Sequence, residues 1–186
     1  RSVSAFLLNR SSDLRAAFER ALGIDEAVYG PEHPEVATDV NNLGLVMQDL
    51  GELEEARVCF EKATERGPEL FRPRHNLAAA LLYTGRPAEA LEQLEILDSL
   101  HPPTAPGSKV AVTALMELGR WDEAATRLVD GLDRDPGHEP LKEMAARLLS
   151  EHPRPDELRA WLSQQLALPE HEGAAKTIGP MLSVAD

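Results

Sequence analysis

The residues most able to attack a bond or hold a metal are Cys59 and His33, the latter set in the run Gly30-Pro31-Glu32-His33-Pro34. Neither has the company such chemistry needs. A zinc site draws several Cys, His or carboxylate ligands together at short spacing. No second His or Cys stands at ligand spacing from His33, and no His-Glu-x-x-His occurs. Cys59 falls inside a helix-periodic stretch and reads as an inert interior thiol. Pro106-Gly107-Ser108-Lys109 shares the end of a phosphate loop but lacks its first glycine and the strand before it. The acid pairs Glu54-Glu55 and Asp122-Glu123 open helices, where negative charge complements the helix dipole. No serine or cysteine has a base partner. The chain is therefore expected to be no enzyme and to need no metal and no cofactor. What remains is non-covalent chemistry by amides, cations and rings, and the elements that carry them decide where it happens.

Those elements repeat. Gly51, Gly85 and Gly119 are spaced by 34, as are Ala56, Ala90 and Ala124, and Pro68, Pro102 and Pro136. A fixed period in this range is the signature of stacked helix–turn–helix units. In the unit from Ala37, Val40, Leu43, Gly44 and Met47 share one face of a first helix. Gly51 breaks it; Leu53, Ala56, Phe60 and Ala63 line a second helix that Pro68 ends. The units from Phe71 and Ala105 copy the pattern, with small residues expected where helices cross: Gly44 with Ala56, Ala78 with Ala90, Val112 with Ala124. The unit from Glu139 is degenerate, with Pro153 at the turn and Leu158 in place of alanine, as an end cap would be.

The chain thus reads as an array over residues 1–168: a partial unit 1–36, units 37–70, 71–104 and 105–138, and a cap 139–168. A tail of 169–186 follows, either loose or holding one short helix. In the first unit Ser4 to Leu8 is expected to end one helix. Leu14, Phe18 and Ala21 match Ala56, Phe60 and Ala63 at an offset of 42, and the second helix is expected to run to about Val28. The chain begins at Arg1 and reads as a piece of a longer protein.

The run Leu43-Gly44, Gly51, Ala56, Phe60, Ala63 and Pro68 resembles the tetratricopeptide repeat family. Ala21 to Pro34, followed by Asn41-Asn42-Leu43-Gly44, is similar to the 42-residue repeats of the kinesin-light-chain type, which also occur as sensors in bacterial signalling ATPases. The resemblance implies an all-α fold, a right-handed solenoid of antiparallel helix pairs whose first helices line a concave groove. It implies a protein- or peptide-binding scaffold, a fragment of a larger bacterial protein. Two alternatives stand beside it: the sensor or autoinhibitory part of a signalling ATPase, and a domain that recruits substrate to a fused enzyme.

If Leu43, Gly44 and Met47 face the core, the groove positions lie half a turn away. They are Thr38, Asn41, Asn42, Leu45, Gln48 and Asp49, then Arg72, His75, Asn76, Ala79, Leu82 and Tyr83. Lys109, Thr113, Met116 and Glu117 follow, then Glu143 and Arg147. Asn42 and Asn76 share one repeat position. An amide offers donor and acceptor, so the two form a short ladder for an extended peptide, or they contact water and a neighbouring helix. Arg72, Arg74, His75, Lys109, Lys142 and Arg147 give the groove a basic tilt. They receive an acidic peptide or a terminal carboxylate, or they pair with nearby acids at helix starts. The expected partner is a protein or peptide of acidic character lying across Asn41, Asn42, Leu45, Gln48, Arg72, His75, Asn76, Tyr83, Lys109, Thr113 and Arg147.

Composition agrees with that partner class. The net charge is -13 and the sequence pI about 4.9. An acidic surface repels nucleic acid and anionic lipid, so neither is expected as partner. One cysteine makes no internal disulfide, and no apolar run approaches a membrane span. A cytoplasmic setting is the corresponding expectation.

Overall fold

A computed structural model describes residues 3–31 and 33–183, and for residues 3–12 and 14 the backbone only. The side chain of Leu14, those of Ser4 to Leu8, and Glu32 of the proline turn lie outside the described residues. Every regular element described is a helix: α1 (Val3–Tyr29), α2 (Pro34–Asp49), α3 (Leu53–Arg66), α4 (Phe71–Tyr83), α5 (Pro87–Leu100), α6 (Ala105–Glu117), α7 (Trp121–Arg134), α8 (Glu139–Glu151), α9 (Pro155–Gln165) and α10 (Glu172–Ser183), with a single 3-10 turn at Pro169–His171. First helices open at 71, 105 and 139, and second helices at 53, 87, 121 and 155, so each start lies 34 residues after the last.

Glycine turns set that period. Gly51, Gly85 and Gly119 have φ of +79°, +75° and +71°. A side chain costs roughly 1–2 kcal/mol in that region, which glycine avoids. Each turn closes its helix the same way. The Gly51 N–H donates to the Gln48 carbonyl at 3.0 Å and the Glu52 N–H to the Met47 carbonyl at 2.9 Å. Gly85 with Arg86, and Gly119 with Arg120, repeat both bonds. The fourth turn has no glycine. There His152 is buried, its ring stands edge-on to Trp121, and its Nδ1 accepts the Arg154 N–H at 3.0 Å.

Two compact units divide the chain, Arg1–Leu100 and His101–Asp186. In the first, α2 packs between α1 and α3, and α4 between α3 and α5. Val36, Val40 and Ala63 form a core against which Leu22 and Cys59 pack, and Phe60, Leu77, Leu81, Ala90 and Leu94 are buried with it. The helices α2 and α3 come very close. A Cβ added at Gly44 would stand 2.6 Å from Phe60 Cε1 and 3.1 Å from Cys59 Cβ. The closest neighbours of Gly44 are thus Phe60 and Cys59 rather than the expected Ala56, because side chains on α3 lean toward the turn before them.

The expected break after Leu8 is absent: α1 is one helix from Val3 to Tyr29. Forty-two residues before Gly51 stands Asn9, and no glycine or proline occurs before Gly23. Nothing in the sequence there forces a left-handed turn.

In the second unit α6, α7 and α8 pack together, α9 lies on α8, and α10 lies chiefly on α7. Leu128, Leu132, Leu141, Leu148, Leu162 and Ile178 are its largest fully buried apolar side chains. Residues beyond 169 join this packing. Asp133 of α7 accepts the Ala174 N–H at 2.8 Å and pairs with His171 Nδ1, while Thr177 Oγ1 donates to the Pro136 carbonyl at 3.2 Å.

Candidate protein-binding face

Positions on the first helices sort by register. On α2, Thr38, Leu45 and Asp49 are exposed and Asn42 is half-buried; on α4, Arg72 and Tyr83 are exposed while Asn76 and Ala79 are half-buried. The spacing 4, 3, 4 runs along one helix face. Tyr83 is 59% exposed and Leu45 39%. This stripe is the open surface of the first unit's first helices.

The neighbouring positions turn inward. Asn41 is only 3% exposed, and its Oδ1 accepts a bond from Asn76 Nδ2 at 2.8 Å. Expected to face a partner, Asn41 instead ties α2 to α4. The ladder expected from Asn42 and Asn76 is therefore a diagonal pair, Asn41 with Asn76, and Asn42 stands beside it. Leu82 is buried rather than facing a groove, and Gln48 is half-buried. His75 is half-buried and stacks on Phe71, with ring centroids 5.7 Å apart and planes 10° apart. Burial pulls its pKa down, so it is a neutral ring at pH 7.

Most of the basic tilt is already spent. Arg74 is buried and donates to Gln93 Oε1 and to the Pro68 carbonyl, both at 2.9 Å. Burial pulls its pKa down too. In the second unit Lys142 pairs with Glu139 at 2.8 Å. Arg147 grips Glu151 with two bonds of 3.0 and 3.1 Å, and that contact holds the Glu151 carboxyl below its usual range. Such i,i+3 and i,i+4 partners lie within each helix's own sequence, so the acids nearest in the chain win. Arg72 and Lys109 engage no acid among the described residues. Arg72 is exposed and Lys109 half-buried. Thr113 donates to the Lys109 carbonyl at 2.9 Å, its hydroxyl thus returned to its own helix, and Met116 is buried.

Three histidines do structural work that residue type alone does not disclose. His33 Nδ1 accepts the Glu35 N–H and caps α2, while its ring stacks on Tyr29 at 4.8 Å. His138 caps α8 through the Leu141 N–H, and His152 holds the fourth turn. Their places before proline or at a helix start are the available signal.

With the repeats and their open face in view, comparison with known proteins settles the family. Residues 5–69 and 72–95 match models described as tetratricopeptide repeat. Over these stretches the chain carries tetratricopeptide repeats. Human mitochondrial tetratricopeptide repeat protein 19 is 29% identical over 86 residues, 44% of this chain and 23% of that protein. The match thus spans less than a quarter of that relative's length.

Among solved structures, YrrB, described as a tetratricopeptide-repeat protein with an unusual peptide-binding site, is 23% identical. Its TM-score is 0.62, over 82% of this chain and 76% of that one. A putative kinesin light chain from Podosopora anserina with nearly identical repeats gives 0.66 at 20% identity, over 92% and 90%. MamA from Desulfovibrio magneticus RS-1 gives 0.56 at 18%, over 81% and 93%. At these identities the likeness is one of fold, the all-α helical-repeat solenoid class. Tetratricopeptide repeats serve in general as protein-interaction scaffolds. Among the described residues no helix is long and apolar enough to cross a membrane.

Proposed function

We propose that this tetratricopeptide array is a binding module for an extended or helical peptide of acidic character. The peptide is received on the open stripe of α2 and α4. One observation carries the reading. In a chain of net charge -13, Arg72 is exposed and engages no acid among the described residues, and it shares a helix face with Asn76 and Tyr83. A cation, an amide and a ring supply three complementary contacts: charge for a carboxylate, donor and acceptor for a peptide bond, and flat apolar area. In the second unit, taken by itself, Lys109 and Thr113 of α6 and Arg147 of α8 are the corresponding candidates, and Lys109 engages no acid among the described residues. Peptide binding by YrrB, as its description states, supports the class of partner.

The reading places the module in a larger bacterial, cytoplasmic protein, with neither nucleic acid nor membrane as partner and no catalysis of its own. A signalling-ATPase sensor and an enzyme's recruiting domain use the same face and differ in what is linked to it.

The test is fluorescence anisotropy with labelled peptides of matched length and graded net charge. Acidic peptides should bind best, and Arg72→Glu and Tyr83→Ala should each weaken them about tenfold, near 1.4 kcal/mol. Lower ionic strength should widen the preference for acidic peptides. Equal affinity across the charge series, or variants that bind as the parent does while still folded, would overturn the reading.

A further inference from the structure

The bond from Asn76 Nδ2 to Asn41 Oδ1, 2.8 Å long, joins two residues of unlike exposure. Asn41 is 3% exposed. Asn76 is half-buried on the open stripe of α4, between Arg72 and Ala79. An amide taken out of water carries a desolvation cost that a hydrocarbon of its size does not. Repeat packing does not itself ask for it, since the same two positions 34 residues on hold His75 and Val110. The inner amide is there for its hydrogen bond, and that bond acts on the outer one.

A surface asparagine turns about its last torsion in a broad, roughly two-fold well. Asn76 instead donates to a fixed acceptor. Its amide plane, and the order of its oxygen and nitrogen, are set before any ligand arrives. The nitrogen is tied to Asn41, and Oδ1 is the acceptor that Asn76 keeps; no described residue bonds it. An extended peptide has unpaired backbone N–H groups to offer such an acceptor. Inside a helix those groups are spent on the carbonyl four residues back.

We propose that Asn41 is a positioning residue for peptide binding. It does not meet the peptide; it holds the Asn76 amide so that Oδ1 accepts a backbone N–H from an extended acidic segment. The inference rests on the stripe of α2 and α4 being the binding face, and it narrows the ligand there from an extended or helical peptide to an extended one. Orienting the acceptor in the free chain removes part of the ordering cost of binding.

Fluorescence anisotropy on the whole chain tests it, with the most acidic labelled peptide of the charge series as probe. Asn76→Ala and Asn41→Leu should each weaken binding about fivefold, and both together no more than either alone, because Asn41 acts through Asn76. Asn41→Ala, which removes the acceptor without adding bulk at a buried site, should match Asn41→Leu. Circular dichroism should show every variant as helical as the parent. The same peptide with N-methyl groups on its central peptide bonds has no N–H to give there. It should bind the parent chain about fivefold more weakly than the unmethylated peptide, and the Asn76→Ala chain no more weakly than the unmethylated peptide does. Effects that multiply, to about twenty-fivefold in the double variant, would make Asn41 a structural residue only and overturn the proposal. Folded Asn41 variants that bind as the parent does would also overturn it, as would methylation that costs as much on Asn76→Ala as on the parent. If Arg72→Glu still weakens binding in those cases, the face stands and the role of Asn41 falls alone. If Arg72→Glu is silent as well, the face is refuted and this inference with it.

Discussion

Asp39 shows how a single carboxyl records its surroundings. It sits on α2 facing α1, and its pKa is pushed up to about 6, first by burial and then by the hydrogen bond and negative charge of Asp25, with Glu35 adding to the field. An acid whose pKa is raised on folding binds its proton more tightly in the folded chain than in the unfolded one. The sign of the linkage follows. Its contribution is fully present below the ordinary value of 3.8. It is lost as pH rises through about 6. Asp39→Asn keeps the shape and removes the titration. The variant's melting temperature should gain on the parent's as pH climbs across that window, then hold a constant lead. Parallel melting curves at every pH would show that Asp39 titrates as a solvated acid.

Helices were legible in this sequence wherever one residue type fixes the backbone. Gly51, Gly85 and Gly119 announced three turns, and the structure places a positive φ at each. The fourth turn was harder to read, since a buried histidine, not a glycine, holds it. The uninterrupted α1 was missed for the opposite reason: an expected repeat boundary had no breaker to enforce it. At the candidate site the face of each helix was legible to within one position. Asn41 and Arg74 escaped because their partners, Asn76 and Gln93, lie on other helices, which a periodic pattern does not reveal. Docking of α10 depends on a similar long-range fit. A Cβ added at Gly173 would stand 2.8 Å from the Asp133 Cα, backbone that does not yield as a side chain does. Gly173→Ala, and separately Asp133→Ala, should therefore lift α10 from α7. Limited proteolysis would then cut near residue 170 faster than in the parent chain. Equal cutting rates would show that the apolar contacts of Ala174 and Ile178 hold α10 unaided.

For the whole molecule, charge is the dominant long-range term. Thirty-two acids against nineteen lysines and arginines repel one another in the compact state. The ion pairs along each helix, such as Arg120 with Glu123 and Arg154 with Glu157, are local and exposed and offset little of this. Screening shortens the reach of the repulsion, to about 8 Å near physiological ionic strength. The melting temperature should rise from low to moderate sodium chloride. A fall would mean that the attractive pairs outweigh the net repulsion. The same distribution explains why function was only coarsely legible: an acidic surface excludes partner classes but names no partner.

Cys59 gains a further use from its place at the tight crossing of α2 and α3. It is the chain's sole sulfhydryl, half-buried, with its pKa raised by burial, and it lies against Gly44. The thiol lines an open pocket with Arg15, Leu43, Met47 and Val58, so an alkylating reagent reaches it at a rate that partial burial and the raised pKa slow. The rate of labelling therefore reports how tightly the first unit is packed around that pocket, with no probe to engineer and no second site to confuse the signal. A peptide seated on α2 and α4 that firms this packing would slow the labelling without touching the sulfur.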